Sequence, residues 1–238
     1  MEIEEILEHG LEHFLPNISV DLVIIGYKGD KLQCQLLKLE DKWALPGGYV
    51  KRAESVDDAV KRLLAERTYQ KDPHLAFLSV FGDKDRNFKN AFRQYFTRNS
   101  MTWKEAYWIN DRFVTLAYYT LIDTESTILD PGEIHEEVGW FDFDDLPPMW
   151  LDHRAIVDKA RSRLKEDCKQ IPVSYNLLSE EFTMPELHRL HQTILEEKLD
   201  RSRFQKKMLA TDMFERLPKL KTDSRGSNPY KYRLKQDT

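Results

Sequence analysis

Gly48-Tyr49-Val50-Lys51-Arg52-Ala53-Glu54-Ser55-Val56-Asp57-Asp58-Ala59-Val60-Lys61-Arg62-Leu63-Leu64-Ala65-Glu66-Arg67 is the stretch on which the fold of this chain turns. It follows Trp43-Ala44-Leu45-Pro46-Gly47, so residues 43–50 read as a strand broken by a glycine loop. Ser55 stands where a helix needs an N-cap, and Asp57 and Asp58 meet the positive end of the helix dipole in its first turn. The helix is expected to run to Tyr69. Gly48 and Glu54 are separated by five residues, and Glu54 and Arg62 by seven; Glu66 follows one helical turn later.

Strand signals lie on both sides of this unit. Residues 20–27 form a nearly continuous apolar run, as a buried strand does, and Lys28-Gly29-Asp30 turns the chain into a second arm over 32–39. Upstream, Ile3, Ile6, Leu7, Leu11 and Phe14 recur at helical spacing over residues 2–14, and Pro16 stops that helix. Downstream, strand-like runs occupy 77–81, 113–122 and 138–143, and a helix from His153 to about Asp167 closes the body. Strands punctuated by helices indicate a mixed α/β (α+β) sandwich. Residues 87–112 interrupt it with an aromatic and basic insertion, Phe88, Phe92, Tyr95, Phe96, Trp103, Tyr107 and Trp108 among them. It reads as a loop or helix packed over the sheet.

The 238 residues allow two modest domains, and 41% hydrophobic content is enough for real cores. No apolar run approaches the roughly 20 residues of a membrane span, and the acidic start Met1-Glu2-Ile3-Glu4-Glu5 has no secretion-signal character. Cys34 and Cys168 lie far apart in no metal-like spacing, which reads as two buried thiols in a reducing cytoplasm. The net charge of −5 hides a division. Residues 182–238 hold 13 Lys/Arg against 8 Asp/Glu, whereas the other 181 residues hold 23 against 33. A basic tail on an acidic body points to a polyanion that meets the tail alone.

The tail has its own plan. Thr183-Met184-Pro185-Glu186 is a capping box with proline in the first turn, and Leu187, Leu190, Ile194 and Leu195 line one face of the helix it opens. Asp200 caps a second helix, 201–209, whose inner face is expected to be Phe204, Met208 and Leu209. Two short strands then flank a polar loop, Asp223 to Pro229. Two helices and a β-ribbon make a winged helix-turn-helix, with its second helix as the major-groove reader. Arg201, Ser202, Arg203, Gln205, Lys206 and Lys207 are the candidate DNA contacts on that helix, with Arg225 and Gly226 in the wing.

The spacing of Gly48, Glu54 and Arg62 resembles the opening of the Nudix signature, as do Trp43 to Gly48 and the Trp140-Phe141…Leu146-Pro147 pattern. After the arginine that signature carries three glutamates and a glycine; here Leu63 and Arg67 replace two of the glutamates and Tyr69 the glycine. The resemblance implies a Nudix-type αβα sandwich, and the losses imply that it does not hydrolyse. Mg²⁺ needs several hard oxygen ligands at short range, and Glu66 beside Arg67 offers one. No catalytic residue, cofactor or metal is therefore expected, and Glu54 and Arg62 read as a structural ion pair. What the Nudix resemblance leaves is a ligand pocket, with Asp21, Trp43, Gly47, Gly48, Phe81, Arg86, Tyr118 and Tyr119 as its candidate walls.

A degenerate Nudix body followed by Asn176-Leu177-Leu178, Phe182-Thr183, Asp200 to Phe204 and a wing ending Tyr230-Lys231-Tyr232 is similar to the Nudix-related transcription regulators, most closely their sugar-responsive branch. The resemblance implies a Nudix-like effector-binding and dimerisation domain over 1–170 and a winged-helix DNA-binding domain over 171–238, Lys231 included in its DNA face. It implies a cytoplasmic homodimeric repressor on a double-stranded operator with an inverted repeat, released by a small effector: a sugar such as arabinose, or a nucleotide-sugar-like metabolite. The alternatives are a Nudix hydrolase of nucleoside diphosphate derivatives such as ADP-ribose, and a non-catalytic Nudix scaffold for protein partners.

Overall fold

Val20, Leu22 and Ile24 alternate along one strand with Val23 and Ile25, and all five are fully buried. A strand covered on both faces is the centre of a layered sheet. This strand, β1 (Phe14–Lys28), pairs antiparallel with β2 (Lys31–Leu39) and β4 (Gly47–Lys51), and parallel with β6 (Val114–Leu121). With β3 (Lys42–Ala44) and β5 (His74–Phe81) the order is β3-β2-β1-β6-β5, and β7 (Glu137–Asp142) pairs with β2. The computed structural model describes residues 3–69, 73–128, 130–131, 137–170, 173–219 and 229–235.

Each face of β1 has its own helix. Val20, Leu22 and Ile24 pack with Ala59, Val60, Leu63 and Leu64 of α2 (Val56–Ala65). Val23 and Ile25 share a cluster with Ile156, Val157 and Leu164 of α4 (His153–Gln170). The result is the expected αβα sandwich. The insertion forms α3 (Lys89–Arg98) and a short 3-10 turn at Trp108–Asn110. Phe92, Phe96 and Trp108 of this insertion pack against Leu7 of α1 (Ile3–His13) and Phe14, so it seats itself on the N-terminal helix as well as on the sheet edge.

Two expected boundaries move. The strand begins at Phe14, directly after α1, and passes through Pro16 with a register shift before Ser19 and a left-handed Asn17. The box helix ends at Ala65, four residues early, because Arg67 donates from its side chain to the Asp130 carbonyl and Thr68 bridges to Thr127.

The tail folds as a winged helix. α5 (Met184–Leu195) and α6 (Arg201–Ala210) lie beside a three-stranded sheet of β8 (Phe182–Thr183), β10 (Tyr230–Leu234) and β9 (Phe214–Lys219), in that order. Both halves of the Thr183–Glu186 capping box form, which settles where α5 starts. Phe204 and Met208 are buried with Leu187, Phe214 and Tyr232, but Leu209 is 43% exposed and does not belong to the inner face. At about 100° per residue, position 209 falls well away from the 204–208 stripe. The outer half of α5 belongs to the body: Leu190 and Ile194 share a cluster with Leu164 and Cys168 of α4. No helix among the described residues is long and apolar enough to cross a membrane.

Candidate functional site

Gly47 and Gly48 open the site. A Cβ on Gly47 would stand 2.3 Å from the Val20 carbonyl oxygen, so only glycine lets β4 approach β1 there. The same atom on Gly48 would stand 2.5 Å from a Leu63 methyl. Leu63 occupies a position where the Nudix signature has a glutamate, and it is 5% exposed within the apolar cluster under β1. That position is a packing position here.

The rest of the box is paired internally. Arg62 donates from Nε and Nη2 to the two Glu54 oxygens at 3.0 and 2.7 Å, and from Nη2 to the Tyr49 carbonyl at 3.0 Å. These bonds hold the Glu54 carboxyl below its usual range despite partial burial. Glu66 leans on Arg62 Nη1 at 3.4 Å. The box is therefore a clamp between the β4 loop and α2, and among the described residues no three His, Cys, Asp or Glu side chains gather as a metal site.

Beside the glycines lies a cavity of about 140 Å³. Asp21 of β1 meets Arg86 Nη2 at 2.6 Å, and Arg86 Nε meets Asp152 at 3.0 Å. The Leu45 N–H donates to His153 Nδ1 at 2.9 Å, which leaves the ring's proton on Nε2, 3.8 Å from the Asp21 carboxylate. Burial lowers the His153 pKa, in keeping with a neutral ring. Arg86 and His153, both lining residues, are 3% and 1% exposed, and each keeps one buried nitrogen, Nη1 and Nε2, with no hydrogen-bond partner. Buried donors without partners are costly and call for an acceptor. Leu39, Leu45, Tyr49, Phe88, Phe92, Ile109 and Phe113 supply apolar walls.

Of the expected wall residues, the structure brings Asp21, Gly47, Gly48 and Arg86 to this cavity. The other four lie elsewhere. Trp43 stacks edge-on against Phe141, Phe81 packs into the α4-side core, and Tyr118 sits against Phe77 on the α2 side. Tyr119 faces the opposite layer, where its hydroxyl donates to Asp167. Sequence reasoning missed Ser19, Tyr49, His153 and the aromatic roof. The signal for the roof was the insertion itself.

On the winged helix, Asp200 caps α6 by accepting from the Arg203 N–H at 2.8 Å. With Phe204 and Met208 facing in, Ser202 and Lys206 point most directly outward, at about 100° per residue. Arg201 and Gln205 flank one side of that face, and Arg203 and Lys207 the other; all six are exposed. Lys231 is engaged by Glu181 at 2.9 Å. Arg225 and Gly226 lie outside the described residues.

A Nudix-type sandwich with an incomplete phosphohydrolase helix, joined to a winged helix with an exposed basic reader, defines a class: DNA-binding regulators built on a Nudix body. The chain belongs to the NUDIX domain family, whose model matches residues 16–160, and residues 174–234 match the NrtR DNA-binding winged helix domain. It is 22% identical over 229 residues to the ADPR responsive transcriptional repressor NtrR of Acinetobacter baylyi, covering 92% of this chain and 83% of that one. It superposes on Shewanella oneidensis NrtR complexed with a 27mer DNA with a TM-score of 0.73 and 26% identity, over 92% and 93% of the two chains. A MutT/nudix family protein from Enterococcus faecalis shares the fold, with a TM-score of 0.68, 24% identity, and 99% and 94% coverage. The Acinetobacter repressor is named for a response to ADP-ribose, a nucleotide-sugar-like metabolite, and not to a sugar such as arabinose.

Proposed function

We propose that this chain is a cytoplasmic, homodimeric transcription repressor that holds an inverted-repeat operator through α6 and the wing, and releases it when an effector of the ADP-ribose class enters the Asp21–Arg86–His153 cavity. The observation that carries the reading is the contrast between an internally paired box and an exposed, basic reader helix. The effector class is taken from the Acinetobacter relative's name. The site suits it chemically: Arg86 Nη1 and His153 Nε2–H are donors awaiting a phosphate or hydroxyl oxygen. At about 140 Å³ the cavity is smaller than the ~300–1,000 Å³ of typical ligand pockets, so it takes one end of such a molecule unless α3 shifts.

The domain division at residues 170 and 171 belongs to the same proposal, as does dimerisation through the body: two winged domains on one dimer supply the contacts an operator needs. Hydrolysis is absent in this reading because Leu63 is core and Glu66 stands alone. Calorimetry of ADP-ribose against the protein, free and operator-bound, tests the effector. By linkage an inducer binds the free protein more tightly, and equal affinities rule it out. Mg²⁺-dependent turnover of ADP-ribose above that of a Glu66→Gln control overturns the non-catalytic assignment.

A further inference from the structure

Resting on the DNA-binding reading above, we infer that the DNA-contact surface runs past the winged helix onto the Nudix body, through a seat for backbone phosphate where α4, the α5–α6 turn and α6 meet. A cleft of about 330 Å³ opens there. Lys169 from the last turn of α4, Lys198 from the turn, and Arg203 and Lys207 from α6 line it. All four side chains are exposed, and none forms an ion pair among the described residues.

That absence stands out against the same helix a little upstream. Arg154, Arg161, Arg163 and Lys165 of α4 each meet a carboxylate: Asp158, Asp144 and Glu196, Asp167, and Glu196. Among the described residues lining the cleft the one acid, Asp200, already accepts from the Arg203 N–H as the α6 cap. Like charges gathered from three elements repel one another unless a polyanion lies across them. The cleft is continuous with the reader helix, since Arg203 and Lys207 belong to both. A duplex read by the outward face of α6 therefore presents its flanking phosphates to Lys169 and Lys198.

The seat ties the two domains to one ligand. α4 begins at His153, in the proposed effector cavity, and carries Lys169 in its last turn, about 24 Å away along the helix. A shift of the helix at one end moves a phosphate contact at the other.

The test uses the full-length protein with a duplex selected from a random pool and a scrambled duplex, titrated by fluorescence anisotropy at several salt concentrations. Lys169→Ala and Lys198→Ala are each expected to weaken both duplexes by the same factor and to lower the log–log salt slope by about 0.9. Lys159→Ala, about 15 Å up the same helix, leaves the slope unchanged. If wild type binds and Lys206→Ala lowers the slope while Lys169→Ala and Lys198→Ala do not, the seat is wrong and the DNA reading stands. If wild type binds no duplex, the DNA-binding reading itself has failed. If the two lysine variants instead lose calorimetric ADP-ribose binding with an unchanged salt slope, the cleft is a small-anion site and the inference is overturned.

Discussion

α2 and α6 are both ten-residue helices with a serine or aspartate cap, and they do opposite things with their charges. On α2, Arg62 is tied to Glu54, Glu66 and a backbone carbonyl, and Leu63 and Leu64 are buried. On α6, only Phe204 and Met208 are buried, and Arg201, Arg203, Lys206 and Lys207 stay in solvent. A charge paired within its own fold stabilises that fold. A charge left free, next to others of its sign, is available to something outside it. The same distinction separates the buried Asp21–Arg86–Asp152 network, internally paired yet one acceptor short, from both helices.

The largest effect falls on that network. Arg86 is 2% exposed in its side chain and lies between two carboxylates, so Arg86→Leu leaves Asp21 buried beside an apolar group. Removing one partner of a buried pair costs about 3–5 kcal/mol. Urea denaturation is expected to show that loss, with effector binding gone where the variant remains folded. A change below 1 kcal/mol would mean that the network is not a structural element and that water reaches it.

His191 supplies the next effect. Burial, with Lys207 and His188 nearby, lowers its pKa to about 4, and its ring lies 2.6 Å from the Ser174 hydroxyl between α5 and the body. The sign follows from proton uptake. Below the unfolded value near 6.5 the unfolded chain binds a proton that the folded chain refuses, so stability falls as pH drops from about 6.5 towards 4 and levels off below that. The limit is about 3 kcal/mol. His191→Gln should remove most of this slope in denaturation midpoints at pH 7 and 4.5, while His153, also lowered by burial, keeps its own share. A variant with the wild-type slope would place the acid sensitivity elsewhere.

What the sequence made legible was local. The apolar run of β1, the Ser55 and Asp200 caps and the Thr183 capping box are decided by neighbours within a few residues, and each formed where the pattern placed it. Four of the eight expected wall residues lie away from this cavity, two of them for a simple reason. Tyr118 and Tyr119 are consecutive on a strand, so they face opposite layers, and neither layer is the cavity. The roof of this cavity, Phe88, Phe92 and Ile109, comes from an insertion that packs against α1, an element far away in the chain. His153 owes its role to the Leu45 N–H, a contact across 108 residues that no local pattern announces.

The smallest effect tests the comparison itself. Lys206 and Lys231 are both lysines of the winged helix, and charge counting treats them alike. Lys206 points outward from α6 with no ion pair among the described residues, whereas Lys231 of β10 meets Glu181 at 2.9 Å and is about one-third exposed. A lysine that neutralises a phosphate releases its counterion, and the salt slope of binding drops by about 0.9 when that lysine is removed. A lysine already facing a carboxylate carries a thinner counterion share, and moving it to DNA strands Glu181 next to the phosphates. Lys206→Ala should therefore lower the slope by nearly a full unit, and Lys231→Ala by a clearly smaller amount. Glu181→Gln separates pairing from mere distance: freeing Lys231 should strengthen binding and steepen the slope if the lysine lies near DNA, and do neither if it lies away. Equal slope losses for Lys206→Ala and Lys231→Ala would show that internal pairing does not predict which charges this domain offers to DNA, and the contrast between α2 and α6 would then rest on burial alone.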